Sequence, residues 1–274
     1  MKRIALLLAL VAGLLAASPA QSQTTGFAFV CEHDSTQPID PIVYPGVGEA
    51  PAHMHEFFGG QVNENSSREQ LLSEPTGCHY GDDNGTVKDH SGYWVPSLYQ
   101  DDVRVEPYNA NAYFLKPNGE GAEGVRSTPQ GLKIIAGATH DNPGSPYVNW
   151  GCTDMASTYP APVDCFGGRK VKTSTIFPSC MKRLAWLDSS DHRNHMRYAV
   201  SGRGCPGAYP MPVPTLKLTI RYKISSVGGL SLSSGPVSTM HADFMEAVGQ
   251  SLMQERMRTC LNADRRCGLD GTIR

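Results

Sequence analysis

Thr215-Leu216-Lys217-Leu218-Thr219-Ile220-Arg221-Tyr222-Lys223-Ile224-Ser225 is the stretch that decides the fold class. Leu216, Leu218, Ile220 and Tyr222 fall on one side of it, and Lys217, Thr219, Arg221 and Lys223 on the other. A period of two describes a strand with one face on a core and one toward solvent. Working outward, Gly26 to Val30 is an apolar run, Tyr93 to Tyr99 is aromatic and β-branched, Val103 to Leu115 alternates, and Met196 to Val200 is strand-like. Between these runs, 28 glycines and 20 prolines punctuate the 274 residues, as at Asn142-Pro143-Gly144 and Pro210 to Pro214, which makes for many turns and long loops. One helix is expected, from Asp243 to Leu261, where Phe244, Val248, Leu252, Met253 and Met257 recur at helical spacing. Asp243 would be its N-cap and Glu246 its capping-box partner. The expected fold is mainly β: one β-rich domain over 21–274, a sandwich or irregular barrel with a C-terminal helix. No linker, repeat or low-complexity tract marks an internal boundary.

The N-terminus reads as an export signal. Lys2 and Arg3 precede an apolar run from Ile4 to Leu15, and Ser18 and Ala20 are small residues suited to a cut after residue 20. The run is too short to span a bilayer, which takes roughly 20 apolar residues, and no second one follows, so no membrane span is expected after cleavage. Cleavage removes two of the 24 basic side chains and none of the 26 acidic ones. A mildly acidic chain is a poor partner for nucleic acid or an anionic membrane. All eight cysteines, Cys31, Cys78, Cys152, Cys165, Cys180, Cys205, Cys260 and Cys267, lie beyond the cut. An even number in an exported chain favours disulfides. Spacing makes Cys152–Cys165 and Cys260–Cys267 plausible local loops and Cys180–Cys205 a third pairing, although eight cysteines allow 105 connectivities. With no CxxC, GxSxG, P-loop, GxGxxG or HExxH motif, zinc ribbons, serine hydrolases, nucleotide enzymes and zincins are disfavoured.

The polar chemistry concentrates in four places. In His53-Met54-His55-Glu56 an extended backbone puts both imidazoles on one face, where they can grip a metal or divide acid and base roles. In Asp191-His192-Arg193-Asn194-His195 an acid beside a histidine can fix its tautomer, and His195 and Arg197 would share one strand face suited to an anionic or hydroxyl-rich ligand. In His241-Ala242-Asp243 capping accounts for Asp243 and leaves His241 unexplained. Ser91 to Tyr99 offers Tyr93 as a possible acid and Trp94 and Tyr99 as sugar-stacking surfaces. His33, His79, His90 and His140 sit in polar surroundings and read as surface.

These clusters also carry a resemblance. Asp40-Pro41-Ile42-Val43-Tyr44-Pro45-Gly46, His53-Met54-His55 with Phe58-Gly59-Gly60, and Tyr93-Trp94-Val95-Pro96-Ser97-Leu98-Tyr99 are similar to the opening motifs of the DUF1996 family. Phe177-Pro178-Ser179-Cys180, Ser190 to Met196, Cys205-Pro206, Pro212-Val213-Pro214 and His241-Ala242-Asp243-Phe244 follow in the family's order. The chain departs from the pattern at Met181-Lys182-Arg183, where the family has Trp and Gly, and at Met245, where it often has Trp. The resemblance implies an exported protein that acts on or binds extracellular polysaccharide, since such domains sit beside carbohydrate-binding modules in fungi and bacteria. The leading expectation is a carbohydrate-active enzyme with His53, His55, Tyr93, Asp191, His192, His195, His241 and Asp243 as acid–base and charge-stabilising groups. Trp94, Tyr99, Arg193 and Arg197 would hold the substrate. Two alternatives stand beside it: a zinc or copper site built from His53, His55, His195 and His241 in a metal-dependent enzyme, and a non-catalytic wall-binding protein. The sequence leaves the cofactor open.

Overall fold

The decisive stretch forms the strand Thr215–Tyr222, and its alternation acts as read. Leu216, Leu218, Ile220 and Tyr222 are buried in the main core, while Lys217 and Arg221 occupy the other face. A computed structural model describes residues 25–48, 52–80, 88–117, 124–138 and 141–267. The expected signal peptide and His140 lie outside the described residues.

Thr215–Tyr222 is the third strand of a seven-stranded antiparallel sheet ordered Val148–Cys152, Val171–Ile176, Thr215–Tyr222, Pro107–Leu115, Gly26–Cys31, Cys78–His79, Lys88–Asp89. A second, five-stranded antiparallel sheet runs Lys133–Gly137, His241–Met245, Gly92–Pro96, His55–Gly59, His33–Gln37. The two pack face to face, so the fold is a sandwich and not a closed barrel. Phe27, Phe29 and Phe114 from the first sheet meet Phe244 and Tyr93 from the second; Phe114 and Phe244 have ring centroids 6.3 Å apart. Each such aromatic, fully buried, contributes about 1.5–3 kcal/mol.

The three central strands of the second sheet, His55–Gly59, Gly92–Pro96 and His241–Met245, are buried at every position. Their far face carries a smaller core of Phe57, Trp94, Ile135 and Met245, closed by Ile39, Ile42 and Leu71. Leu71 comes from the short helix Arg68–Ser73, which Ser67 caps. The free edge of Lys133–Gly137 is covered as well. Lys133 N–H donates to Leu187 O and Ile135 N–H to His192 O, which docks the 187–195 loop against the sheet.

The long C-terminal helix differs most from expectation. The helix runs only from Gln250 to Arg256 and continues into a wide turn, Met257–Leu261, with Gly249 at its start. Asp243 caps nothing; it lies in the strand His241–Met245, and Glu246 instead accepts from Arg68, Gly131 and Val248. Phe244 and Val248 fit helical spacing by coincidence: the strand His241–Met245 is buried on both faces, so its apolar Phe244 and Met245 stand next to each other and continue into Ala247 and Val248. Tyr93 to Tyr99 divides at Ser97 into strands of different sheets, Val103 to Leu115 divides at Glu106, and Met196 to Val200 keeps only Met196–Arg197. Four disulfides close the loops: Cys31–Cys78, Cys152–Cys165, Cys180–Cys205 and Cys260–Cys267. The three pairings favoured by spacing are all present. Among the described residues, no helix is long and apolar enough to cross a membrane.

Candidate metal centre

His55 opens one strand of the second sheet and His241 opens another, with Gly92–Pro96 between them. The two outer strands run parallel, so both histidines reach the same end of the sheet. Asp243 pairs with Trp94, and Trp94 with Phe57, and alternation then puts His55, His241 and Asp243 on the face that also carries Phe57 and Trp94. His53, two residues before His55, returns to that face. The rings of His53 and His55 are 4.2 Å apart, those of His53 and His241 5.1 Å, and those of His55 and His241 5.8 Å.

One nitrogen from each ring lies within 4.8 Å of the others, an arrangement that can hold a metal ion. His55 Nδ1 bonds the Ile39 carbonyl at 2.9 Å and His241 Nδ1 the Thr239 carbonyl at 3.0 Å. A carbonyl only accepts, so each Nδ1 carries the hydrogen and each Nε2 keeps its lone pair. Fixing the tautomer through the far nitrogen is how metal-binding histidines are oriented. Burial holds His55 well below the usual imidazole range, lowers His53, and takes His241 down to about 3. The three therefore stay neutral, as ligands must be.

Four buried atoms here have no hydrogen-bond partner: Nε2 of His53, Nε2 of His55, and both carboxylate oxygens of Asp243. Asp243 Oδ2 is 3.9 Å from His241 Nε2. Burial and the nearby Asp40 raise the Asp243 carboxyl well above its usual range. An unpaired carboxyl and two unpaired imidazoles in one buried place are costly. A cation bound among them would offset that cost.

The cluster floors a cleft of about 500 Å³. One wall is the turn at Asp40, whose Oδ1 accepts from the amides of Ile42 and Val43 at 3.0 and 3.1 Å. The opposite wall is the 190–193 loop, in which His192 adopts a left-handed φ of 55°. His192 Nδ1 is 2.9 Å from Asp188, Asp191 accepts the amides of Arg193 and Asn194, and Arg193 donates to Gly137 O.

Of the residues singled out from sequence, the cleft gathers His53, His55, Asp191, His192, Arg193, His241 and Asp243. His195 lies elsewhere: it is fully buried, with Nε2 on Lys133 O at 2.8 Å and Nδ1 on Ser189 Oγ at 3.0 Å, and it pins the loop to the sheet edge. It is not in the three-histidine group. Arg197 does not share its face; Arg197 is exposed, stacked over Tyr209. Tyr93 points to the other side of its sheet, fully buried, donating to Asp89 Oδ2 at 2.5 Å and stacked on Phe244. Trp94 is buried in the smaller core, and Tyr99 lies in the strand Leu98–Gln100, outside the cleft. Met181 and Met245, the two places set apart by the resemblance, are both core residues and are not among those lining the cleft.

Asp40, Tyr44 and Ser234 line the cleft without having been singled out. Asp40 had a readable signal, since an Asp followed by Pro commonly starts a turn. His33, read as surface, bonds buried Glu56 at 2.7 Å, and Glu56 also takes Thr36 and Arg104. That network ties the edge strand His33–Gln37 to its neighbours.

The family model described as Domain of unknown function (DUF1996) matches residues 40–247. That stretch is most of the chain and holds every residue of the cleft just described. No curated protein and no solved structure matches.

Proposed function

We propose that this chain, which belongs to the DUF1996 family, is an exported metal-dependent hydrolase of an extracellular polysaccharide, with one zinc-type cation held by His53, His55 and His241. The convergence of three neutral imidazoles, two of them with the tautomer fixed by a backbone carbonyl, beside a buried carboxyl without a hydrogen-bond partner carries the reading. Three histidines with an open position are a catalytic rather than a closed structural set, and a cation so held acts as Lewis acid and lowers the pKa of a water. Asp243 stands at the same spot, where it would serve as a further oxygen donor or as a hydrogen-bond acceptor. Arg193, anchored on Gly137 O, brings positive charge to the cleft wall, where it can meet developing negative charge on a substrate oxygen. Four disulfides suit a protein that works outside the cell. Polysaccharide as substrate rests on the company such domains keep and on an open, polar cleft. An acid–base mechanism centred on Tyr93 is the weaker reading, because Tyr93 does not reach the cleft.

Elemental analysis of the purified, fully oxidised protein, with release of reducing ends from a polysaccharide panel before and after chelation, tests the proposal. One metal per chain, with activity lost on chelation and restored by zinc, is the expected outcome. Sub-stoichiometric metal, or turnover indifferent to chelation, would overturn it.

A further inference from the structure

The far side of the sandwich carries a second feature. On the outer face of the seven-stranded sheet, Lys172, Arg221 and Asn109 sit opposite one another on three adjacent strands. Arg221 Nη1 donates to Asn109 Oδ1 at 3.1 Å and Asn111 Oδ1 at 2.8 Å. Two neutral amides thus fix the guanidinium without neutralising it. Lys172 Nζ rests on Met155 O and Lys170 Nζ on Ser225 Oγ. Among the described residues, none of these three cations has a carboxylate within ion-pair distance, whereas nearby Lys223 is paired with Glu106. Burial and the neighbouring charges of Lys217 and Arg221 lower the Lys172 ammonium, as expected of cations crowded together. This occurs in a chain whose formal charge is −2.

The pairing of the two central strands shifts between Arg221 and Tyr222: Arg221 faces Asn109 and Tyr222 faces Pro107, which leaves Tyr108 as the extra residue of a bulge. Bulges re-aim side chains, and Tyr108 is 66% exposed. A groove of about 370 Å³ is lined by Tyr108, Lys170, Arg221 and Lys223, with Asp154 as its one acid. An exposed aromatic face beside an oriented guanidinium and the ammonium of Lys170, with Lys172 opposite Arg221 on the next strand, matches a sugar ring carrying an anionic group. The ring stacks on Tyr108, and the anion takes the Arg fork and the Lys170 ammonium.

We propose that this groove is a second glycan-binding subsite, selective for an anionic pyranose unit, carboxylated or sulfated, and placed on the opposite face of the sandwich from the histidine cleft. It binds polymer without acting on it, and it stands whether or not the histidines hold a metal.

Calorimetric titration of the intact, oxidised protein with galacturonate oligomers, dextran sulfate and neutral dextran tests the site. Binding of at least one anionic polymer and not of neutral dextran is expected, and which anionic polymer binds tells carboxylate from sulfate. Tyr108→Ala should weaken binding roughly five- to tenfold and Arg221→Gln roughly ten- to a hundredfold. Tyr108 is exposed, so its variant keeps the test valid if Arg221→Gln fails to fold. Equal binding of neutral dextran, no binding of either anionic polymer, or an affinity indifferent to Tyr108→Ala would overturn the proposal; the last result would reduce the groove to a non-selective patch of charge.

Discussion

The Nδ1–H of His55 donates to the Ile39 carbonyl across 2.9 Å, and Ile39 immediately precedes the Asp40 turn that walls the cleft. The turn holds its shape because Asp40 Oδ1 accepts two amides, from Ile42 and Val43. Asp40 is thus a positioning residue for His55, acting through one peptide unit. Asp40→Ala is expected to weaken zinc binding by roughly 10–100-fold, the usual effect of losing support behind a ligand, while Asp40→Asn, which keeps the accepting oxygen, should retain most of it. Competition titrations of chelated protein would read this directly. An unchanged affinity in Asp40→Ala would mean that His55 is oriented without the turn.

His241 and His195 make opposite predictions although both are buried histidines bonded to backbone carbonyls. His241 leaves Nε2 toward the cluster, whereas His195 uses both nitrogens, on Lys133 O and Ser189 Oγ. His241→Ala should abolish stoichiometric metal, at a structural cost no larger than that of His195→Ala because only one carbonyl loses its partner. His195→Ala should keep the metal and lose about 1–3 kcal/mol of stability, because a buried carbonyl and hydroxyl lose their partner. Metal content and urea denaturation, measured on both variants, separate the two roles. Loss of metal in His195→Ala with unchanged stability would restore His195 to the site.

The contrast shows how far the sequence could be read. Alternation made Thr215–Tyr222 legible because one face is core and the other polar. His241–Met245 was illegible for the opposite reason: it is buried on both faces, and its apolar end, Phe244 and Met245, merged with the spacing of the true helix that begins at Gln250. That one merger hid the role of Asp243. His53 and His55 shared a face by simple alternation, but the meeting with His241 depends on strand order, which no local pattern encodes. His195 and His192 are three residues apart and equally polar in context, and only the docking of their loop against Lys133–Gly137 sends one inward and leaves the other on the cleft wall.

Tyr93 gives a separate test of that division. Its hydroxyl donates to Asp89, whose other oxygen accepts the amide of Ser91, and burial pushes the phenol well above its ordinary range. Tyr93→Phe should therefore cost about 1–3 kcal/mol, since Asp89 is left with a buried, unmet acceptor, and should not change turnover at temperatures where the variant is folded. Thermal melts and kinetics on the same preparation are enough. A variant of normal stability that has lost all activity would make Tyr93 a catalytic acid after all.

The pH dependence of the metal-free protein brings the cleft's two kinds of buried group into opposition. The folded His55 is held well below its ordinary value and His241 near 3, while unfolded imidazoles titrate near about 6.5. Below that pH the unfolded chain binds more protons, so the histidines remove stability as pH falls from about 6.5 toward 3. Asp243 acts in the other direction. Its carboxyl is raised well above the usual range by burial and by Asp40, so the folded chain keeps a proton that the unfolded chain releases above about 4, and stability is lost as pH rises through that window. His241→Asn should accordingly flatten the acid limb of the stability profile, and Asp243→Asn should stabilise chelated protein near neutral pH. Zinc should stabilise the wild type at neutral pH and lose that effect toward acid, as protons compete for the imidazoles. Urea denaturation across the range, with chelator and with zinc, reads all three. If Asp243→Asn instead destabilises the chelated protein at neutral pH, the carboxyl has a partner in solution, and the argument for a cation built on its isolation fails.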